Sequence, residues 1–214
     1  MLELQAQSVR VTEAQPIQPG KFDASRFDSV TAGALRVIFD SAGAHKIPQA
    51  PLVNIALHGS AVRASPNKIL SAVRELYAAM IDARAALGEN SSVSELESGA
   101  DAIRAGADGK SLQAIRITRP ATGSAVGALV VFTDITKRGI SMNDARDAVV
   151  TLARTSRTDE SLNGLQSLVA RNSERGPGMA QDAMKRYVKA NAAGAQKGAP
   201  AKPVTRPPSP PDAS

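Results

Sequence analysis

A chain that must build its core with almost no aromatic rings has few ways to fold. Four Phe, two Tyr and no Trp make up an aromatic share of 3%. The apolar share is an ordinary 43%, but much of it is alanine, with Leu, Val and Ile supplying the bulk. Rings bury the most area per side chain. Without them, cohesion has to come from backbones brought close together over small side chains, and helix-on-helix packing permits that approach. The expected body is helix-rich and of modest stability. The alanine and arginine bias is that of a GC-rich bacterial genome.

The clearest helix is expected over 66–87. Ser65 stands at the N-cap and Pro66 at the first helical position, where its missing N–H costs nothing. Ile69, Val73, Leu76, Met80 and Leu87 form one stripe, and Gly88 is placed to end it at positive φ. Ser92 and Glu95 fit a capping box ahead of a helix over 93–105. Phe27, Val30, Leu35 and Ile38 predict an earlier helix that stops near Gly43. Ser141 with Asp144 opens another, whose inner face is Ala145, Val149 and Leu152. Thr158 opens the next, with Leu162, Leu165, Leu168 and Val169 inward. After the break at Arg175–Gly178, Ala180, Met184, Tyr187 and Val188 make a last stripe.

Between these helices the apolar period changes. Leu112–Thr118 and Ala125–Thr133 read as two strands joined by the Pro/Gly loop Arg119–Ser124. The run 50–59 reads as a buried strand or an extended connector, and Ser8–Thr12 as a short lone strand. The expected class is therefore α+β, predominantly helical, with helices around a small antiparallel hairpin (112–118, 125–133). Residues 1–24 are expected to be a flexible N-terminal segment, 25–191 one globular domain, and 192–214 a disordered tail rich in Pro, Ala and Lys.

The net charge of +6 is unevenly spread. From Arg171 to the end stand eight basic residues against three acidic ones, so that region carries +5. Such a stretch attracts nucleic acid, acidic lipid or an acidic protein. Spaced cations also serve simply to keep a tail solvated. No apolar run approaches the length of a bilayer span, and the N-terminus lacks the pattern of a cleaved signal. The expected location is cytoplasmic, or outside the cell by a route that needs no cleaved signal peptide.

Candidate chemistry is sparse. The absence of cysteine removes thiolate nucleophiles, thiolate metal sites and disulfides. His45 and His58 lie too far apart for a helical metal pair. There is no P-loop, no G-x-G-x-x-G and no G-x-S-x-G elbow. Asp144/Asp147 and Glu95/Glu97 are paired carboxylates by spacing; the first pair suits the positive end of a helix dipole without any catalytic role. No cofactor, metal or catalytic residue is assigned.

Gly33-Ala34-Leu35-Arg36 resembles the arginine-finger loop of bacterial GTPase-activating effectors of the type III secretion class. The resemblance covers four residues. It implies a finger at Arg36 that stabilises charge on a transferring phosphoryl group. That family's supporting Gly-Gly-Ala-Ala-Ser-like stretch is missing here, and the family is all-helical.

What remains is a protein expected to work by contact: a non-enzymatic bacterial interaction or regulatory protein, of the kind exported as a virulence effector or controlling export. The interaction residues assigned are Arg36, Tyr77, Arg171, Arg175, Lys185, Arg186 and Lys189, with a protein partner foremost. A DNA-binding regulator using the basic C-terminal region is the first alternative, although no aromatics interleave the cations. An enzyme with a site dispersed over His58, Arg36 and Asp134 is the second. Pro207–Pro210 gives a P-x-x-P match in the tail, read as an unstructured segment.

Overall fold

A computed structural model describes residues 21–120, 123–155 and 159–197, with side chains as far as 193. Among these residues there are nine α-helices, one short 3-10 turn at Ala24–Arg26 and no strand. The helices are α1 (Ser29–Ala44), α2 (Gln49–Ala61), α3 (Pro66–Leu87), α4 (Val93–Arg104), α5 (Gly109–Arg116), α6 (Val126–Lys137), α7 (Met142–Thr155), α8 (Glu160–Ser173) and α9 (Pro177–Lys197). The described residues up to Ala78 form one compact unit and those from Ala79 a second.

In the first unit, Asp28 caps α1 by accepting from the Thr31 N–H at 2.9 Å. Leu35, Ile38, Phe39 and Ala42 are buried, and the ring of Phe22 meets Phe39 edge-on with centroids 5.1 Å apart. Val30 is 80% exposed, so the expected α1 stripe splits between two faces. Helix α2 replaces the strand or connector expected over 50–59. Leu52, Val53, Ala56 and Leu57 are buried while Asn54 and His58 are exposed, a helical and not an alternating period. Pro51 sits in its first turn, where the ring costs little. A Cβ on Gly59 would lie 2.8 Å from Ile69 Cγ1, so only glycine lets α2 come this near to the start of α3.

In the second unit, Gly88 takes φ +94° and ends α3 as the sequence predicts. The Ser92–Glu95 capping box is formed in full at the start of α4. Ser141 accepts from the Asp144 N–H at 3.2 Å ahead of α7. The N-cap role expected of Thr158 lies outside the described residues, as do the strand at Ser8–Thr12 and the P-x-x-P tail.

The expected hairpin does not exist: residues 112–118 belong to α5 and the turn after it, and 125–133 to α6. Asp108 caps α5 by accepting from the Ser111 N–H at 2.9 Å. Leu112 and Ile115 then point inward while Ile117 is 66% exposed. The sequence pattern L-Q-A-I-R-I-T satisfies both periods over so short a stretch, and the cap decides between them. Helix α6 packs against α4, α7 and α8. Ala128, Leu129, Val131, Phe132 and Ile135 are all buried. A helix surrounded on several sides reads as a continuous apolar run, just as a buried strand does. A lone hairpin would also leave edge backbone groups unpaired in the interior, whereas a helix satisfies them within itself. The fold is therefore all-helical among the described residues, not α+β.

Candidate functional site

The interaction residues expected from sequence divide between the two units: Arg36 and Tyr77 belong to the first, and Arg171, Arg175, Lys185, Arg186 and Lys189 to the second. Arg36 is exposed on the outer side of α1, in the middle of a regular helix. Residues 33–36 thus form no loop, and the finger geometry suggested by the four-residue resemblance is not present. Tyr77 is half-buried on α3; its hydroxyl lies 3.1 Å from His45 Nδ1, which also lies 2.8 Å from the Ser41 carbonyl. That places one of the two imidazoles at the C-cap of α1 in a local hydrogen-bond chain. His58 is exposed on α2. Asp134, in the second unit, pairs with Arg138 at 2.9 Å along its own helix. Arg171 is exposed in the last turn of α8 and Arg175 in the turn that follows. Among the described residues, no three His, Asp or Glu side chains gather as a metal site.

Two of the expected residues do come together. Lys185 and Lys189, one turn apart on α9, form one wall of a groove of about 270 Å³. Asp144 and Asp147 on α7 form the other, and Ala148, Met184 and Val188 make an apolar floor. The helices run in the same direction. Gln181 donates to Asp144 at 2.7 Å near both N-terminal ends, and Thr151 and Val188 line the groove two turns further on. Asp147 is held by Arg146 at 2.9 and 3.0 Å. Lys185 and Lys189 make no ion pair among the described residues, so their charge is directed to solvent. Arg186, a further cation of α9, is exposed beside them in sequence but does not line the groove.

A second cleft of about 230 Å³ lies between α4, α6 and α8. Its acids, like Asp147, are paired with arginines of their own surroundings: Asp134 with Arg138, and Asp101 with Arg104 at 3.7 Å. The one buried carboxylate among the described residues has a structural task. Glu95 accepts from the Ser92 N–H at 3.0 Å and, across the unit, from the Ala125 N–H at 2.9 Å just before α6. Burial alone would raise its pKa; these two bonds and the Arg116 guanidinium 3.9 Å away outweigh that and hold it below the usual carboxylate range. Arg116 in turn donates to the carbonyls of Pro120 and Gly123, so the loop that leads into α6 is fastened at both ends. Next to this loop, Arg119 is paired with Asp159.

Sequence reading missed the groove because its walls come from helices some forty residues apart. The i, i+4 lysines and i, i+3 aspartates were visible, but nothing local says that α7 and α9 pack side by side. No family of known proteins, no characterised protein and no solved structure matches the chain. No described helix is long and apolar enough to cross a membrane.

Proposed function

We propose that this protein acts by docking a protein partner, as an interaction or regulatory protein, and that the α7–α9 groove receives a segment of that partner. The observation that carries the reading is the groove's makeup: an apolar floor between a wall of two lysines that make no ion pair among the described residues and a wall of two aspartates. A peptide presenting one apolar side chain, with an acidic residue toward α9 and a basic residue toward α7, is complementary to it in shape and charge. The mixed walls favour protein over nucleic acid. A phosphate backbone drawn to Lys185 and Lys189 would meet the carboxylate of Asp144, which makes no ion pair among the described residues, in the same space.

The test is a peptide display screen on the full chain, followed by binding measurements at two salt concentrations. The expected peptides share the acid–apolar–base pattern. They lose affinity for Lys185→Glu/Lys189→Glu and regain it when their own acidic residue is changed to lysine. Enrichment of no such class, binding untouched by the charge reversal, or salt-sensitive binding of DNA that needs the same lysines would each overturn the reading.

A further inference from the structure

Helix α1 carries an apolar face that the described residues of its own unit leave uncovered. Val30 and Val37 are 80% and 66% exposed, among the most exposed large apolar side chains of the described chain. Between and beyond them on the same face stand Gly33, Ser41 and Ala44, and around Gly33 there is open space where a Cβ would project. Isolated exposed valines are unremarkable on a protein surface. Here they are part of an ordered pattern. The positions Val30, Gly33, Val37, Ser41 and Ala44 follow at intervals of three, four, four and three residues, so the series reads the same from either end about Val37.

We infer that this face is a two-fold contact between copies of the chain, with α1 paired antiparallel to α1 and Val37 on the axis. A two-fold axis makes a surface meet itself, so residue i contacts j as j contacts i. About Val37, each Val30 lies opposite the other copy's Ala44, and each Gly33 opposite its Ser41. Val30 thus meets the smaller Ala44, two small residues meet at Gly33 and Ser41, and the two copies of Val37 meet each other on the axis. The small residues let the helix axes approach to the near end of the ordinary packing distance, about 8 Å.

The charges agree with the same axis. Arg36 and Asp40 lie on one flank of the face, both exposed, and neither makes an ion pair among the described residues. An antiparallel two-fold brings that flank against its own copy. Each Arg36 then falls about two residues, or roughly 3 Å of helix rise, from the other copy's Asp40. The flank becomes a row of acid, base, base, acid, in which attraction exceeds repulsion. Parallel pairing would instead put this flank on opposite sides of the seam in the two copies, and Arg36 would not meet the other copy's Asp40. A single helix pair buries less than the roughly 800 Å² per partner of a standard interface, so the association is weak and shifts with concentration.

The absence of cysteine makes a direct test available in the full chain. Val37→Cys introduces a lone thiol on the axis, within disulfide reach of its copy; Val62→Cys, at a residue 60% exposed beyond the end of α2, is the control. Under mild oxidation the first is expected to give a covalent dimer and the second to stay a single chain. Sedimentation of the cysteine-free protein over a concentration series is expected to show the mass rising toward twofold. Arg36→Asp is expected to abolish that rise, and Arg36→Asp/Asp40→Arg to restore it. One mass at every concentration, equal crosslinking at both cysteines, or a dimer indifferent to the charge reversal and its restoration would overturn the inference. Reversing Lys185 and Lys189 is expected to leave the dimer intact, which separates this contact from the α7–α9 groove.

Discussion

The carboxylate of Glu95 offers the sharpest test of how the second unit is held. Its side chain is 6% exposed and joins the start of α4 to the start of α6 through two backbone N–H groups, at 3.0 Å from Ser92 and 2.9 Å from Ala125. Hydrogen bonds to a charged group are each worth about 1.5–3 kcal/mol, and a buried donor left without a partner costs about 1–3 kcal/mol. Ser92 is exposed and its N–H can turn to water. Ala125 is fully buried and its N–H cannot. Most of the loss in Glu95→Ala therefore falls at Ala125, for a total of about 3–5 kcal/mol. In Glu95→Gln one acceptor oxygen survives while an NH₂ group faces the other donor, and the expected loss is about 2–3 kcal/mol. The assay is urea unfolding of the full chain followed by far-UV circular dichroism. The pH dependence adds an independent readout. The carboxyl titrates lower in the folded protein than in the unfolded chain. Between the two values the unfolded chain therefore binds more protons, and stability rises with pH. This contribution is whole above the unfolded value of about 4.3 and is lost as pH falls through the folded one. Glu95→Gln removes that part of the slope. Variants within about 0.5 kcal/mol of wild type, or an unchanged slope on the acid side, would show that Glu95 does not fasten the two helix starts.

Three further outcomes follow from packing and capping. Phe132 is 1% exposed on α6 and is the largest of the fully buried side chains; Phe132→Ala should cost about 3–5 kcal/mol in chemical denaturation. The Tyr187 hydroxyl occupies the place where a Cβ on Gly164 would project, while donating to the Ser161 carbonyl at 3.1 Å. Gly164→Ala should therefore cost about 1–3 kcal/mol, and a smaller penalty in the Tyr187→Phe background would identify the hydroxyl as the obstacle. Asp108→Ala removes the cap of α5 and should cost about 1 kcal/mol. Hydrogen bonds from Ser111 hold the Asp108 carboxyl below its ordinary range, so the loss should shrink as pH is lowered through the titration of that acid.

Helix ends were legible in the sequence because capping is a matter of neighbours. Ser92 and Glu95, Ser141 and Asp144, Pro66 and Gly88 act within one turn of backbone, and each works in the structure or stands at the end foreseen for it. The small aliphatic composition likewise pointed to helices packed on helices. Where the neighbours allow two conformations, the remainder of the chain decides. Residues 112–118 and 125–133 carry patterns that suit a strand as well as a buried helix, and it is the enclosure of α6 by α4, α7 and α8 that selects the helix. The same holds for candidate surfaces. Lys185 and Lys189 share a helix face by spacing alone, yet only the packing of α7 beside α9 sets two aspartates across from them. Val30 looked like core because apolar residues on opposite faces of one helix can pass for a single stripe; which face is buried depends on what packs there, and that lies outside any local window of sequence.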